Sequence, residues 1–162
     1  IRVYGVGRGN RREGELMTLY ELMEQTAEHI EEKPGNYYQD DYACSVEDAV
    51  SWGDMKVQGE PCGTAYCRAG WMASIAANRV VDSDDHIYNA TSKALMRAGI
   101  PELEIEHLFD GGVVKGTPGT KSYAKAGAKG VRAFMKKHET KLKATELDEK
   151  KFKRELKVIY EY

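Results

Sequence analysis

The residues from Pro61 to Ala77 form the least polar run of the chain, and they contain two of its three cysteines. From Tyr66 onward, only Arg68 and Ser74 interrupt a succession of apolar residues and glycine. A helix that is apolar on nearly every side belongs in the interior of a fold rather than on its surface. The run therefore predicts a buried helix around which the other elements pack.

The predicted buried helix covers residues 65–78. Thr64 is a favourable N-cap residue, and Pro61 and Gly63 keep the residues before it out of the helix. Small side chains recur at i, i+4 spacing on one face of this helix: Ala69, Ala73 and Ala77. We expect neighbouring helices to approach that face closely.

Helical periodicity continues along the rest of the chain, and signals for β-strands are nearly absent. The clearest helix starts at Thr18, where Glu21 completes a capping box. Its predicted buried face has i, i+3, i+4 spacing and consists of Leu19, Leu22, Met23, Thr26, Ala27 and Ile30. The sequence predicts an all-α fold, a compact bundle of about six or seven helices around the buried helix.

Three further helices have predicted contacts that the structure can test. Trp52 is expected to face inward from a short helix that Ser45 caps, and Leu103 is expected to face the core from a helix that starts at Pro101. A later helix is predicted to begin at Thr117-Pro118. On or near its apolar face are Gly127 and Gly130, which indicate close packing against a neighbour.

The length of 162 residues is that of one domain with a substantial core. We expect residues 17–162 to form a single helical domain, and residues 1–16 to be a flexible basic arm or a mistranslated leader. No apolar run reaches the roughly 18–20 residues that a membrane span requires, so no contact with a membrane is predicted. An odd number of cysteines favours reduced thiols and a cytoplasmic location.

The net charge of −2 conceals a division of charge along the chain. Residues 1–12 carry four arginines and no acid, residues 13–110 have a formal charge of −14, and residues 111–162 one of +8. One interpretation is that the acidic and basic parts attract each other within the fold. The other is that the Lys and Arg residues of 115–157 bind nucleic acid or an acidic protein.

Two cysteines lie at the start of the predicted buried helix. With Thr64 as the N-cap, Cys67 is the third helical residue, where the helix dipole lowers the pKa of a thiol. The cysteines are then either reactive, as a redox pair or a nucleophile, or small buried residues that fill space. A zinc site is a further alternative, with Cys44, Cys62, Cys67 and one histidine as ligands. The histidines, all predicted to be solvated, are His29, His86, His107 and His138.

Arg68 interrupts the apolar run directly after Cys67. An arginine on a buried helix usually extends its charged end to solvent or pairs with a carboxylate. Near a helix N-terminus it can instead bind an anionic ligand. The candidate ligand-binding residues are Cys62, Thr64, Cys67, Arg68 and Trp71.

The ten residues from Cys62 to Trp71 read Cys-Gly-Thr-Ala-Tyr-Cys-Arg-Ala-Gly-Trp. They resemble a Cys-Gly-Thr-x-x-Cys-x-Ala-Gly-Trp motif of small uncharacterised proteins of bacteriophages and bacteria. The segments around the motif are similar as well, so the resemblance extends over roughly residues 18–138. It implies a phage or bacterial cytoplasmic setting and brings no known activity.

The charge division and the lack of a complete catalytic set favour a non-catalytic accessory protein of phage type that binds a macromolecular partner. The partner is expected to be a protein, and no cofactor is expected. Two alternatives remain open. One is a zinc-binding or thiol-dependent module centred on Cys62 and Cys67. The other is nucleic-acid binding through the basic C-terminal helices.

Overall fold

A computed structural model of the chain describes residues 16–110 and 113–157, and these residues are mostly helical. The all-α prediction is confirmed at this level. The predicted arm at residues 1–16 lies outside the described residues, except for Leu16. The elements are α1 (Leu19–Glu32), a 3-10 helix (Pro34–Asn36), β1 (Cys44–Ser45), α2 (Val46–Ser51), β2 (Thr64–Ala65), α3 (Arg68–Ala77), α4 (Ile87–Arg97), α5 (Glu102–Phe109), α6 (Lys121–Lys137), α7 (Glu139–Lys143) and α8 (Glu149–Lys157).

The first helix begins as the capping box predicts. The Glu21 backbone N–H donates to the Thr18 hydroxyl, and the Thr18 backbone N–H donates to the Glu21 carboxylate, each over 3.1 Å. All six residues of its predicted face are buried. This face packs against α6 and α3. A distant residue also stabilises the start of α1, because the Leu19 N–H donates to the Thr145 carbonyl over 2.8 Å.

Every residue of α3 is buried, and the helix packs against α1, α4, α5 and α8. Its start differs from the prediction, which made Thr64 the N-cap. The backbone of Thr64 pairs with Ser45 in a two-stranded antiparallel sheet, so Thr64 has an extended conformation. Cys67 is the N-cap instead, and its sulfur accepts a hydrogen bond from the Gly70 N–H over 3.4 Å.

Close approach of α6 to its neighbours depends on two glycines, as the sequence predicts. A Cβ atom at Gly127 would overlap the ring of Tyr37, and one at Gly130 would overlap the Nη2 atom of Arg68. The helix itself begins later than predicted, at Lys121. The cap is Thr120, whose hydroxyl accepts from the Tyr123 N–H over 3.4 Å.

Three predictions of burial or exposure are wrong. Trp52 is 69% exposed because α2 ends at Ser51 and leaves the indole in the following turn. Leu103 is 79% exposed because the buried residues of α5 lie on its other face: Ile105, Leu108 and Phe109. His138 is buried rather than solvated, with its ring packed against Phe134. Among the described helices, none combines the length and the apolar character needed to cross a membrane.

The tight contact at Gly127 gives a direct test of this packing. In an ordinary helix, replacing glycine by alanine gains about 1 kcal/mol of stability. Here the added methyl group must displace the Tyr37 ring, so Gly127→Ala is expected to lower the free energy of unfolding by about 1–3 kcal/mol. Urea denaturation measures the change. Lys129→Ala, at an exposed position of the same helix, is the control and should be close to neutral.

A Gly127→Ala protein at least as stable as the unmodified chain would contradict the close contact between α6 and Tyr37.

Candidate functional site

Asn36 holds three of the five candidate ligand-binding residues in contacts within the protein. Its side-chain amide donates to the carbonyl oxygens of Cys62 and Thr64, over 3.2 and 3.1 Å. The backbone carbonyl of Asn36 accepts a hydrogen bond from the indole N–H of Trp71 over 3.1 Å. Trp71 is buried, and its ring packs against the rings of Tyr66 and His29. Through these contacts Asn36 connects the end of the 3-10 helix to the segment at β2 and to α3.

Gln39 is a buried side chain that the sequence did not single out, and it connects four elements. Its Oε1 atom accepts from the Arg68 backbone N–H over 3.0 Å and from the Tyr37 hydroxyl over 2.8 Å. Its Nε2 atom donates to the Phe109 carbonyl over 3.2 Å, and its backbone N–H donates to the Tyr123 hydroxyl over 2.9 Å. The loop, α3, α5 and α6 therefore meet at this residue.

Cys67 is buried directly beside this network. Burial raises the pKa of its thiol to about 12, and the hydrogen bond from the Gly70 N–H only partly offsets that effect. The predicted lowering of this pKa is wrong because Cys67 is buried, and burial outweighs the effect of the hydrogen bonds at the start of the helix. The thiolate is the reactive and metal-binding form of cysteine, and at neutral pH this thiol stays protonated.

The three cysteines have different environments: Cys67 is buried, Cys44 is half-buried and Cys62 is exposed, and all are free thiols. Burial, followed by the charge of Asp41, raises the pKa of Cys44 to about 11. Within residues 16–110 and 113–157, no three His, Cys, Asp or Glu side chains form a group that could hold a metal ion.

Arg68 is 5% exposed and forms no ion pair with any described carboxylate. Its Nε atom donates to the Gly127 carbonyl over 3.1 Å, and Nη1 donates to the Leu108 carbonyl over 2.9 Å. Burial lowers the pKa of this guanidinium, while the neighbouring Tyr37 acts in the opposite direction. The Arg68 guanidinium therefore neither extends to solvent nor pairs with a described carboxylate, so neither of the two usual roles of such an arginine applies here.

An open cleft of about 630 Å³ lies between the loop at residues 39–42 and α5. Cys67 and Gln39 line it from α3 and from the loop. Its acidic and aromatic lining consists of Asp40, Asp41, Tyr42, Tyr88, Glu106, Phe109 and Asp110, and Leu103 and His107 complete the wall along α5. We call this feature the acidic cleft.

The tyrosines of the acidic cleft stay uncharged at neutral pH. Burial, followed by the charges of Glu106 and Glu102, raises the pKa of Tyr88. Burial also raises the pKa of Tyr42. The Tyr88 hydroxyl is buried and has no hydrogen-bond partner in the described part of the chain. The acidic cleft therefore combines carboxylates with neutral aromatic rings and the Tyr88 hydroxyl, which has no hydrogen-bond partner among the described residues.

Most residues of the acidic cleft were not singled out from the sequence. The available signal was the run Tyr37-Tyr38-Gln39-Asp40-Asp41-Tyr42, which places three tyrosines and two aspartates within six positions. Its partner residues on α5 come more than sixty positions later. The packing of α5 against α3, α4 and α6, together with the hydrogen bond from Gln39 to Phe109, brings the two segments together.

The basic C-terminal part makes several ion pairs with the acidic part. Arg132 of α6 contacts Glu24 and Glu31 of α1, and Lys137 contacts Glu104 over 2.6 Å. One ion pair has the reverse arrangement: Glu155, an acid of the basic part, binds Arg97, a base of the acidic part, over 2.9 Å. Part of the charge division is thus neutralised within the fold. Exposed lysines remain in a row along α6, at Lys121, Lys125, Lys129 and Lys136.

No protein-family model, curated protein or solved structure gives a match to this chain.

The buried environment of Cys67 predicts how the thiols react with iodoacetamide at pH 8. Cys62 is expected to be alkylated in the folded protein, and Cys67 only after denaturation, because its thiol is inaccessible and its pKa is near 12. Peptide mass spectrometry of timed samples gives the rate at each site. Alkylation of Cys67 at a rate comparable with that of Cys62 would contradict the buried cap and restore the thiol-dependent alternative.

Proposed function

We propose that this chain is a non-catalytic accessory protein, and that its acidic cleft binds a basic segment of a partner protein. The phage-type, cytoplasmic setting of this proposal rests on the motif at residues 62–71. The observation that carries the proposal is the acidic cleft, where carboxylates from two separate segments surround exposed apolar and aromatic groups. The partner is thus a protein segment with lysine or arginine side chains.

The charge of the acidic cleft supports a cationic partner. Asp40 and Asp41 come from the loop, Glu106 comes from α5, and all three are exposed. They belong to the part of the chain whose formal charge is −14. A concave surface of one charge raises the local concentration of oppositely charged ligands and speeds their association.

The exposed apolar groups of the acidic cleft support a peptide rather than a simple ion. Leu103 is 79% exposed and Tyr42 is 42% exposed, and both line the cleft. Aromatic faces attract lysine and arginine side chains by about 0.5–1 kcal/mol at exposed sites. Apolar side chains beside the basic residues of a peptide could therefore pack on Leu103 while its charges meet the carboxylates.

The state of Cys67 supports a non-catalytic role. Cys67 and His107 are both among the residues that line the acidic cleft, and thiol enzymes use these two residue types, but Cys67 is only 2% exposed. The raised pKa keeps the thiol protonated, and its sulfur is engaged by the Gly70 N–H. Its role in the proposal is to cap α3.

The lysine row on α6 favours nucleic-acid binding as a second candidate. Lys121, Lys125 and Lys129 are exposed at i, i+4 spacing and can follow a phosphate backbone. The adjacent acids of α1, which already hold Arg132, oppose the approach of phosphate groups. We therefore rank this candidate second.

Fluorescence anisotropy with a labelled ten-residue peptide of alternating lysine and leucine tests the first candidate. A peptide with norleucine in place of lysine is the uncharged comparison. The variant Asp40→Lys with Glu106→Lys reverses charge inside the acidic cleft. Glu28→Lys with Glu60→Lys reverses two exposed acids outside it, so the two double variants have equal net charge.

The lysine peptide is expected to bind the unmodified chain and to lose at least tenfold in affinity with the cleft variant, while the control variant changes it by less than threefold. Equal losses in both variants would show that net charge alone attracts the peptide and would contradict the proposal. A labelled single-stranded oligonucleotide in the same assay tests the second candidate, which requires an affinity that falls steeply with salt.

A further inference from the structure

A second cavity, of about 450 Å³, lies on the other side of α5 from the acidic cleft. The two cavities share Leu103 and His107 as a dividing wall. Arg68 and Gly130 line the second cavity, and its apolar lining consists of Leu103, Leu108, Val113, Ala133 and Phe134. We call it the arginine pocket. Its volume is in the range of small-molecule binding sites.

The charge of Arg68 inside the arginine pocket has no counter-ion among the described residues. Arginine stays protonated at neutral pH, and a buried charge is usually paired. Here two carbonyl oxygens, of Gly127 and Leu108, replace the carboxylate, and the Tyr37 hydroxyl is nearby. Leu108 lies in the last turn of α5, where the helix dipole favours a cation. A guanidinium has five N–H donors, so these contacts leave donors for a ligand.

Gly130 gives the guanidinium its place in the arginine pocket. A side chain at this position of α6 would overlap Nη2 of Arg68. Nε and Nη1 donate to the two carbonyl oxygens, the Tyr37 hydroxyl is a further polar partner of the guanidinium, and the Arg68 side chain is among the residues that line the pocket. The guanidinium therefore fits at this place only because residue 130 of α6 has no side chain.

The mouth of the arginine pocket does not repel anions strongly. Its carboxylate, Glu104, accepts from Lys137 over 2.6 Å and contacts His138 over 2.9 Å. The hydrogen bond from Lys137, followed by that from His138, keeps the pKa of Glu104 below its usual range. The Lys137 side chain is 67% exposed, so a second cation stands at the entrance.

From these contacts we infer that the arginine pocket binds an amphipathic organic carboxylate, with its carboxylate on Arg68 and its apolar body against Leu108, Val113 and Phe134. A planar carboxylate can accept two parallel N–H bonds from one guanidinium, which a point anion cannot. The apolar lining gives a hydrocarbon chain a surface to displace water from. This site is separate from the acidic cleft and does not depend on the function proposed for it.

Isothermal titration calorimetry with sodium octanoate tests the assignment. 1-Octanol has the same chain without the charge, and octylammonium has the opposite charge. Ala133→Phe places a large side chain in the arginine pocket from an exposed position of α6. Ser122→Phe adds the same ring at another exposed position of that helix and is the matched control. Circular dichroism checks that both variants fold.

Octanoate is expected to bind at least tenfold more tightly than octanol, and octylammonium more weakly than either. Ala133→Phe should weaken octanoate binding at least tenfold, and Ser122→Phe by less than twofold. In NMR spectra of the unmodified chain, octanoate should shift the Arg68 Nε signal. Equal binding of octanol, an unmoved Arg68 signal, or octanoate binding that Ala133→Phe does not weaken would each overturn the assignment.

Discussion

The structure depends on the hydrogen bonds that join Gln39, Arg68 and the backbone around them. Gln39 accepts from the first backbone N–H of α3 and donates to the last turn of α5, while the Arg68 side chain binds carbonyls of α5 and α6. Helix starts leave N–H groups without partners, and helix ends leave carbonyls without partners. These two side chains satisfy both kinds of group at one buried place, and they thereby fix α5 against α3 and α6.

The position of α5 in turn explains why two cavities of different character lie on its two sides. On one side of this helix, Glu106 and Asp110 face the acidic loop at residues 39–42, and on the other side Leu108 and Phe134 surround Arg68. The charge division in the sequence therefore has only part of its explanation in ion pairs such as Arg132 with Glu31. The acids of the cleft and the exposed lysines of α6 make up part of the charge that these ion pairs leave unneutralised.

The sequence predicts those features that depend on residues close together in the chain. The capping box at Thr18, the buried face of α1 and the burial of α3 follow from local spacing. Gly127 indicates close packing against a neighbour, and the structure identifies that neighbour as Tyr37. The N-cap of α3 was predicted at Thr64, and it is Cys67 because pairing with β1 keeps Thr64 extended. No local pattern indicates that Gln39 is buried, since its partners lie 29 and 70 positions away.

The most direct test of this account is hydrogen exchange of the Arg68 backbone amide under native conditions, followed by NMR. As the first residue of α3, Arg68 would have an unprotected amide in an isolated helix. Because it donates to Gln39, this amide is expected to exchange only when the whole domain unfolds, with an opening free energy equal to that from urea denaturation. The amide of exposed Glu102, at the start of α5, should exchange much faster. Equally fast exchange at Arg68 and Glu102 would contradict the account.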